Sequence, residues 1–198
     1  MNRIQNFFAG KTGTGQINPV YLVAAYPDQA AALRTAEEAV ADGANIFFIG
    51  APFSEPMADA PKVAAHAQQA AAEGKGIQDA LEMGAALRER HPEIILVLNS
   101  YTNLILKYGA EKLCGEMAEA GFDALDVTDL PYEEHGEMKP ACCAGNICLI
   151  STIHPAADCR RAQTIAQDAQ GFIKTLSPAD DSITTLPVIT AGSIKYLG

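Results

Sequence analysis

The sequence is short of basic residues, and this limits what it can bind. Its 198 residues contain 14 Lys and Arg against 24 Asp and Glu, a net charge of −10. Affinity for nucleic acids rests mainly on basic side chains that displace counterions from phosphates. No basic stripe interrupts the acidic balance, so we expect no nucleic-acid partner.

Long hydrophobic runs are also missing. Apolar runs such as Ile46–Ile49 are far too short to cross a bilayer, and the start of the sequence, Met1–Ile4, has no apolar signal-peptide segment. We therefore expect no membrane partner and a cytoplasmic location.

Cysteine is scarce and irregularly spaced. The chain has five cysteines, and Cys142, Cys143 and Cys148 are the most closely grouped. An odd number without paired Cys-x-x-Cys spacing favours reduced, buried thiols over a disulfide framework or a zinc site. We expect no metal and no cofactor. His66, His91 and His135 lie in or beside polar helices, where solvated histidines are expected.

Short apolar runs alternate with longer segments of helical periodicity, a pattern typical of repeated strand–helix units. A chain of this length can bury most of its apolar surface as a single domain spanning residues 1–198. Seven strands are predicted, at Tyr21–Ala25, Ile46–Ile49, Ile94–Leu98, Ala124–Val127, Ile147–Ile153, Phe172–Leu176 and Pro187–Ala191. Helices are predicted at Gln29–Asp42, Lys62–Glu73, Gly76–Arg90, Gly109–Ala120, Glu133–Ala144 and His154–Gln170.

The spacing of these units is compatible with two architectures. Units of about 25 to 30 residues without hairpin signals indicate parallel strands joined by helices. A doubly wound open sheet and a (β/α)8 barrel that lacks parts both satisfy this pattern.

The loop after the second strand is the most specific motif in the chain. It runs Gly-Ala-Pro-Phe-Ser-Glu-Pro-Met-Ala-Asp-Ala-Pro over residues 50–61. This loop closely resembles that of the tryptophan synthase alpha subunit family, Gly-Val-Pro-Phe-Ser-Asp-Pro-Leu-Ala-Asp-Gly-Pro. Tyr26-Pro27-Asp28, Tyr101-Thr102-Asn103 and Thr128-Asp129-Leu130-Pro131 resemble the family in register. The resemblance is strongest over residues 1–176.

The resemblance implies a (β/α)8 TIM-barrel fold whose site lies at the C-terminal ends of the strands. The family's reaction is retro-aldol cleavage of indole-3-glycerol phosphate, usually in partnership with a beta subunit that consumes the indole. It uses an Asp in the loop after strand two and a Glu on that strand. Cleavage of this carbon–carbon bond needs proton delivery at one atom and proton removal at another.

The chain departs from the family at the residues that carry this chemistry. Asp59 matches the loop Asp, and Tyr101 also matches the family, but Phe48 stands where the family has its Glu. A phenylalanine cannot move a proton, so cleavage of the family substrate is expected to be very slow or absent. Other inward positions have become polar. The expected substrate-binding positions are Tyr21, Phe48, Asn99, Thr128, Thr152, Gly192 and Ser193.

Lys174 on strand six and Asp126 on strand four are expected to face each other across the barrel mouth. One interpretation is a buried ion pair in which each charge offsets the other, which is weak grounds for stability. The other is a Lys amine that forms a Schiff base with a carbonyl substrate while Asp126 or Asp59 moves protons. Both interpretations stay open, and the expected catalytic set is Asp59, Lys174, Asp126 and Tyr101.

The phosphate site of the family is altered as well. The loop after strand six runs Ser177-Pro178-Ala179-Asp180-Asp181, with no glycine and two carboxylates that repel phosphate. Gly192 and Ser193 after strand seven are left to offer backbone N–H groups. We expect weak or no phosphate binding.

The length defines a specific deficit relative to a complete barrel of about 250 residues. The helix between strands six and seven and everything after strand seven are missing, so the outer edges of strands one and seven are expected to be unpaired. We predict that these edges are covered by the N-terminal segment, by Ile194–Gly198, or by a second chain.

Three functions fit these features. The first is a lyase of the tryptophan synthase alpha type, with its substrate altered because of Phe48. The second is a carbonyl lyase that uses Lys174. The third is a non-catalytic relative that binds a small molecule or a partner chain, such as a beta-like subunit or a second copy of itself.

Overall fold

The computed structural model describes residues 3–9, 17–176, 184 and 186–198. The strands are β1 (Pro19–Val23), β2 (Ile46–Gly50), β3 (Ile95–Ser100), β4 (Ala124–Val127), β5 (Cys148–Leu149), β6 (Ser151–Ile153), β7 (Ile173–Thr175), β8 (Val188–Thr190) and β9 (Lys195–Tyr196). The helices are α1 (Arg3–Ala9), α2 (Gln29–Ala41), α3 (Pro61–Ala72), α4 (Ile77–Arg90), α5 (Thr102–Tyr108), α6 (Ala110–Glu119), α7 (Lys139–Ala144) and α8 (Cys159–Asp168).

All strand pairs run parallel, in two sheets. One sheet has the order β5-β4-β3-β2-β1-β9 and the other has the order β6-β7-β8. The chain passes from the first sheet to the second through Ile150, whose N–H donates to the Leu125 carbonyl. The predicted fifth strand is therefore broken at one residue, and the strands follow one another around an incomplete (β/α)8-type barrel, as predicted.

Side chains alternate between the two faces of each strand, which produces two apolar layers. The inner layer contains Ile46, Phe48, Val97 and Phe172, and the outer layer packs the opposite strand faces against the helices. Helix α1 adds Ile4 to the inner layer, and the Phe8 ring lies 6.3 Å from that of Phe172. The inner layer of this barrel is therefore filled with side chains and is not an open pore.

The edge of β1 is covered by the segment Ile194–Gly198, as one of the predicted alternatives requires. Val20 pairs with Lys195 and Tyr21 with Tyr196, and the Leu197 N–H donates to the Tyr21 carbonyl over 2.8 Å. In the other sheet, β8 pairs with β7. A single 3-10 turn, Ala191–Ser193, separates β8 from β9 where a complete barrel has a helix.

Three helix boundaries differ from the sequence pattern. Helix α8 begins at Cys159 and not at His154, because the Asp158 side chain caps it by accepting from the Arg161 N–H. Helix α5 was not predicted and precedes α6, which corresponds to the helix predicted from Gly109. The predicted helix Glu133–Ala144 is a 3-10 segment, Tyr132–Glu137, followed by α7.

Within the described ranges, no helix has the length and apolar character needed to span a membrane.

Candidate active site

Inward-facing polar side chains replace apolar ones where the strands end at their carboxyl side. On β3, β4 and β7, the next inward positions after the apolar inner layer are Asn99, Asp126 and Lys174. Asn99 and Asp126 are register partners on neighbouring strands. All three are at least nine-tenths buried. Buried polar groups must find partners, so these residues form one network.

Lys174 and Asp126 form the buried ion pair at the centre of this network. The Lys174 Nζ lies 2.7 Å from Asp126 Oδ1 and 2.5 Å from Oδ2. The side chains are 11% and 2% exposed, respectively. The prediction that the two residues face each other is confirmed as geometry. Contact with both carboxylate oxygens engages the amine in an ion pair.

Asn99 connects this pair to β1 and to the end of β4. Its Nδ2 donates to Asp126 Oδ2 over 2.9 Å and to Thr128 Oγ1 over 2.9 Å. Its Oδ1 accepts from the Tyr21 hydroxyl over 3.3 Å. Burial raises the pKa of Tyr21 well above its ordinary value, and the nearby carboxylates of Asp59 and Asp126 add to this. Tyr21 therefore acts here as a neutral hydrogen-bond donor.

Gly50 makes room for Tyr21 at the end of β2. A Cβ at Gly50 would lie 2.1 Å from the Tyr21 hydroxyl oxygen and 2.7 Å from Cζ. Real Cβ atoms do not approach so closely, so the Tyr21 ring can reach Asn99 only across a glycine. The family-like loop over residues 50–61 thus begins with a residue that the polar network requires.

Asp59 and Tyr101 form a second polar contact above the strand ends. The Tyr101 hydroxyl donates to Asp59 Oδ2 over 3.0 Å and accepts from the Ala58 N–H over 3.2 Å. The Phe53 ring packs 5.0 Å from the Tyr101 ring. Burial raises the pKa of the Asp59 carboxyl, while the Tyr101 hydrogen bond and the charge of Lys174 oppose the rise. The charges of Lys174 and Asp126 both act on the pKa of Asp59, the first lowering it and the second raising it.

Phe48 lies in the apolar inner layer, on the N-terminal side of the polar network, and cannot transfer a proton. It is 1% exposed and contacts Phe172 edge to face, with 6.2 Å between the ring centroids. The position that holds the Glu in the family is therefore part of the apolar inner layer.

The remaining predicted positions are less closely connected. Thr152 on β6 is the register partner of Lys174, at the level of the ion pair. Gly192 and Ser193 lie exposed in the turn after β8, and the Ser193 hydroxyl donates to the Thr190 carbonyl over 2.7 Å. The acidic loop Ser177–Asp181 lies outside the described residues.

Sequence reasoning missed Tyr196 and His66 as residues near this site. The Tyr196 ring lies 6.1 Å from the Tyr21 ring, and its hydroxyl is hydrogen bonded to His66 Nδ1. His66 also stacks on Tyr26 and is half-buried, so it is only partly solvated. His135 is 8% exposed, so the expectation that it is solvated is wrong. These contacts join residues far apart in the sequence, and the local helical pattern carries no signal of them.

The thiols form no metal site in the part of the chain that the structure describes. Cys114, Cys142 and Cys148 are buried, whereas Cys143 and Cys159 are exposed. The Cys114 and Cys142 sulfurs lie 3.7 Å apart. No group of three or more His, Cys, Asp or Glu side chains within the described ranges is placed to hold a metal ion.

The fold and the polar strand ends define the class of the protein, an incomplete (β/α)8 barrel with acid–base side chains at the carboxyl ends of its strands. The chain belongs to the tryptophan synthase alpha chain family, whose model matches residues 13–184. It is 36% identical over 178 residues to the tryptophan synthase alpha chain of Chloroflexus aggregans, covering 89% of this chain and 67% of the relative. It is 37% identical over 174 residues to that of Roseiflexus sp., covering 87% of this chain and 67% of the relative.

Solved structures give the same result for the fold. A structure from Aquifex aeolicus VF5 superposes with a TM-score of 0.89 at 28% identity, covering 96% of this chain and 80% of the other. The tryptophan synthase alpha subunit of Legionella pneumophila superposes with a TM-score of 0.88 at 25% identity, covering 96% and 78%. The chain thus spans about two thirds of the length of its curated relatives, and the part that is present keeps the barrel geometry.

Proposed function

We propose that the chain is a carbon–carbon lyase of the tryptophan synthase alpha type that acts on a more polar substrate than indole-3-glycerol phosphate. The observation that carries this proposal is the Asp59–Tyr101 contact, with its 3.0 Å hydrogen bond, at the carboxyl ends of the strands. It keeps the family's loop carboxylate in place while the surroundings have changed.

Asp59 has the properties of a general acid–base group. Its carboxyl is partly buried, and burial raises its pKa toward the working range of such groups. In a retro-aldol step, the carboxylate would take the proton of the hydroxyl next to the breaking bond. The hydroxyl oxygen would then form a new carbonyl as the carbon–carbon bond breaks, and the electron pair of that bond would pass to the other carbon as the enolate of the substrate's own carbonyl. The same carboxyl, now protonated, would return its proton to that carbon.

The altered substrate follows from the polar network. An indole ring offers one N–H to a pocket, whereas Lys174, Asp126 and Asn99 present charged and amide groups at that level. An apolar ring placed against them would remove the remaining solvent from a charged pair, which is costly. A substrate with hydroxyl or carbonyl groups would meet them. Phe48 supports the same conclusion, because it removes the second proton-transfer group that the family substrate requires.

The Schiff-base alternative at Lys174 has less support. Its amine would have to lose its proton and leave Asp126, which contacts it through both carboxylate oxygens. The ion-pair interpretation needs no such change.

A second candidate function, a non-catalytic binding subunit, is favoured by the burial of Phe48. It is also supported by exposed apolar side chains beside the site. Met57 is 86% exposed in the loop after β2, and Leu106 is 57% exposed on α5. The family normally pairs with a beta subunit, so these residues are proposed contacts for a beta-like partner. Self-association through the outer edge of β8 is a further proposal about partners.

Release of indole from indole-3-glycerol phosphate tests the substrate. We expect no turnover by the wild-type chain, with or without a beta subunit, because the second proton-transfer group and an apolar slot for the indole ring are both absent. Normal turnover by the wild type would contradict the altered substrate.

The lyase chemistry is tested separately with unphosphorylated β-hydroxycarbonyl compounds, by following release of the carbonyl fragment. The expected result is cleavage by the wild type and loss of at least 100-fold in Asp59→Asn, the usual scale of one acid–base group. Borohydride trapping at Lys174 would instead support the Schiff-base alternative. Absence of cleavage together with binding of a beta subunit, weakened by Met57→Lys or Leu106→Lys, would support the non-catalytic one.

A further inference from the structure

The segment Ile194–Gly198 is attached to the barrel by a very short strand ladder. Only two residue pairs, Val20–Lys195 and Tyr21–Tyr196, join β9 to β1. A ladder of this length supplies few backbone hydrogen bonds. The position of the segment must therefore depend strongly on side-chain contacts.

Tyr196 makes several of these contacts, and Lys62 Nζ on α3 adds another by donating to the Gly198 carbonyl over 2.5 Å. Its hydroxyl is hydrogen bonded to His66 Nδ1 on α3, and its ring lies 5.7 Å from the His66 ring. His66 in turn stacks on Tyr26 with 3.9 Å between the ring centroids and 15° between the planes. Three parts of the molecule, namely the loop after β1, helix α3 and the segment Ile194–Gly198, thus meet at one histidine.

The charges around His66 disfavour its protonated form. Lys62, one turn earlier on α3, faces it with a positive charge, and Lys62 Nζ also lies 5.7 Å from the Tyr196 ring centroid. The groups that face it from the other two elements, Tyr26 and Tyr196, are uncharged phenols near neutral pH. Burial raises the pKa of Tyr196 to about 12. Burial and the charge of Lys62 lower the pKa of His66.

This cluster is directly connected to the candidate site. Tyr196 packs against Tyr21, the residue whose hydroxyl donates to Asn99. The backbone of Tyr21 also accepts from the Leu197 N–H. The charge of Asp59 acts on Tyr196 as well. A shift of the segment would thus remove one backbone hydrogen bond and one ring contact from Tyr21.

We propose that Tyr196 and His66 are positioning residues of the candidate site, which hold Ile194–Gly198 against β1, and Tyr21 against Asn99, as long as His66 is neutral. A proton on Nδ1 means that the Tyr196 hydroxyl can only accept from this nitrogen and no longer donate to it, and it places a second positive charge beside Lys62. Acidification then loosens the segment and the wall of the site together. This proposal concerns the site's geometry and does not depend on the proposed reaction.

The sign of the pH dependence is fixed by linkage. A histidine that is harder to protonate in the docked state contributes its full stabilisation above its unperturbed pKa of about 6.5. That contribution decreases as the pH falls below this value. Each unit by which docking lowers the pKa corresponds to about a tenfold change in the docking equilibrium.

Hydrogen exchange of the full chain, measured by mass spectrometry between pH 7.5 and pH 5.5 and corrected for intrinsic rates, tests the proposal. We expect peptides covering 19–23 and 194–198 to lose protection several-fold at the lower pH, while β3 peptides keep theirs. Tyr196→Phe, which keeps the ring, should expose the same peptides already at pH 7.5. His66→Gln, which keeps an acceptor but does not titrate in this range, should be independent of pH, whereas the control His91→Gln should behave like the wild type.

Equal protection of 194–198 at both pH values in the wild type would overturn the proposal, as would an unchanged pH dependence in His66→Gln. A simultaneous loss in β3 would indicate global unfolding and would also contradict it. If His66→Gln does not fold, an NMR titration of the imidazole in the wild type replaces it. A pKa at or above the unperturbed value would then overturn the proposal.

Discussion

The ammonium group of Lys174 on β7 contacts both carboxylate oxygens of Asp126 on β4, and this buried pair connects two strands of the barrel. Because both side chains are almost fully buried, loss of one partner leaves the other charge largely without solvent. Asn99 is the neighbour that completes the hydrogen bonds of Asp126. The pair therefore behaves as a unit whose two halves are stable only together.

The first prediction concerns this unit. Lys174→Met leaves a buried, unpaired carboxylate and is expected to lower the free energy of unfolding by about 3–5 kcal/mol. The double variant Lys174→Met/Asp126→Leu removes both charges and should be less destabilised than the single variant. Urea denaturation of the two proteins measures the difference. A double variant that loses the sum of both single effects would contradict the prediction, and removal of the exposed Lys139–Asp168 pair, a control, should cost less than about 1 kcal/mol.

Gly50 gives a second prediction. Gly50→Ala forces the Tyr21 ring away from Asn99 and should cost about 1–3 kcal/mol, the usual range for overpacking. The cost should nearly vanish in a Tyr21→Val background, where no ring opposes the new methyl group. An equal cost in both backgrounds would show that Tyr21 is not the obstacle. Gly115→Ala, in α6 with open space around it, is the matched control and should stabilise the protein.

The pH dependence of stability should report on Asp59. Because burial raises the pKa of its carboxyl, the folded state keeps a proton that the unfolded chain loses above about pH 4. The unfolded state then binds fewer protons, so this residue lowers stability as the pH rises from that point. Asp59→Asn should therefore be more stable than the wild type at pH 7 and no more stable at pH 3. Thermal unfolding at the two pH values checks this.

The control for that experiment is Asp28→Asn at the start of α2. Asp28 accepts from the Ala31 N–H as a helix cap, and asparagine caps about as well as aspartate. It removes one negative charge without the burial that affects Asp59. A stabilisation of the same size in this variant would mean that net charge, and not the environment of Asp59, is responsible.

Arg88 carries the last prediction, because its guanidinium joins three segments at the N-terminal end of the barrel. It donates to the Gly121, Pro92 and Ile94 carbonyls and, over 2.8 Å, to Asp123 Oδ2. Lysine cannot reproduce this planar fan of donors. Arg88→Lys should cost about 2–4 kcal/mol in chemical denaturation, since buried acceptors lose their partners. Arg90→Lys, at an exposed pair with Glu37, should be nearly neutral, and a similar loss in both variants would refute the explanation.

The strands could be predicted from the sequence because each is a short apolar run ended by glycine, proline or polar residues. Ile46–Gly50, buried at every position, is an example. The inward placement of Asp126 and Lys174 was predictable from the same alternation once the barrel was assumed. Local sequence patterns thus predict the strands of the barrel and the residues at the centre of the site.

Features that depend on distant partners were not predictable in this way. Helix α5 begins where the Asp129 carboxylate accepts from both the N–H and the hydroxyl of Thr102, 27 residues earlier. His66 belongs to a polar helix by sequence and to an aromatic cluster by structure, because Tyr196 is brought to it from the far end of the chain. The pairing of β9 with β1 was one of three alternatives for the barrel edge, and only the three-dimensional register selects it.

The pairing of β9 with β1 has a consequence for folding during synthesis. The outer edge of β1 is completed by residues 195–197, which are synthesised long after β1 because they follow it at a large distance in the sequence. Until they emerge, the edge of β1 is open to any extended chain nearby. A nascent chain of this kind depends on rapid burial of its first strand against β2, and truncation or stalling before residue 195 would favour aggregation through this edge.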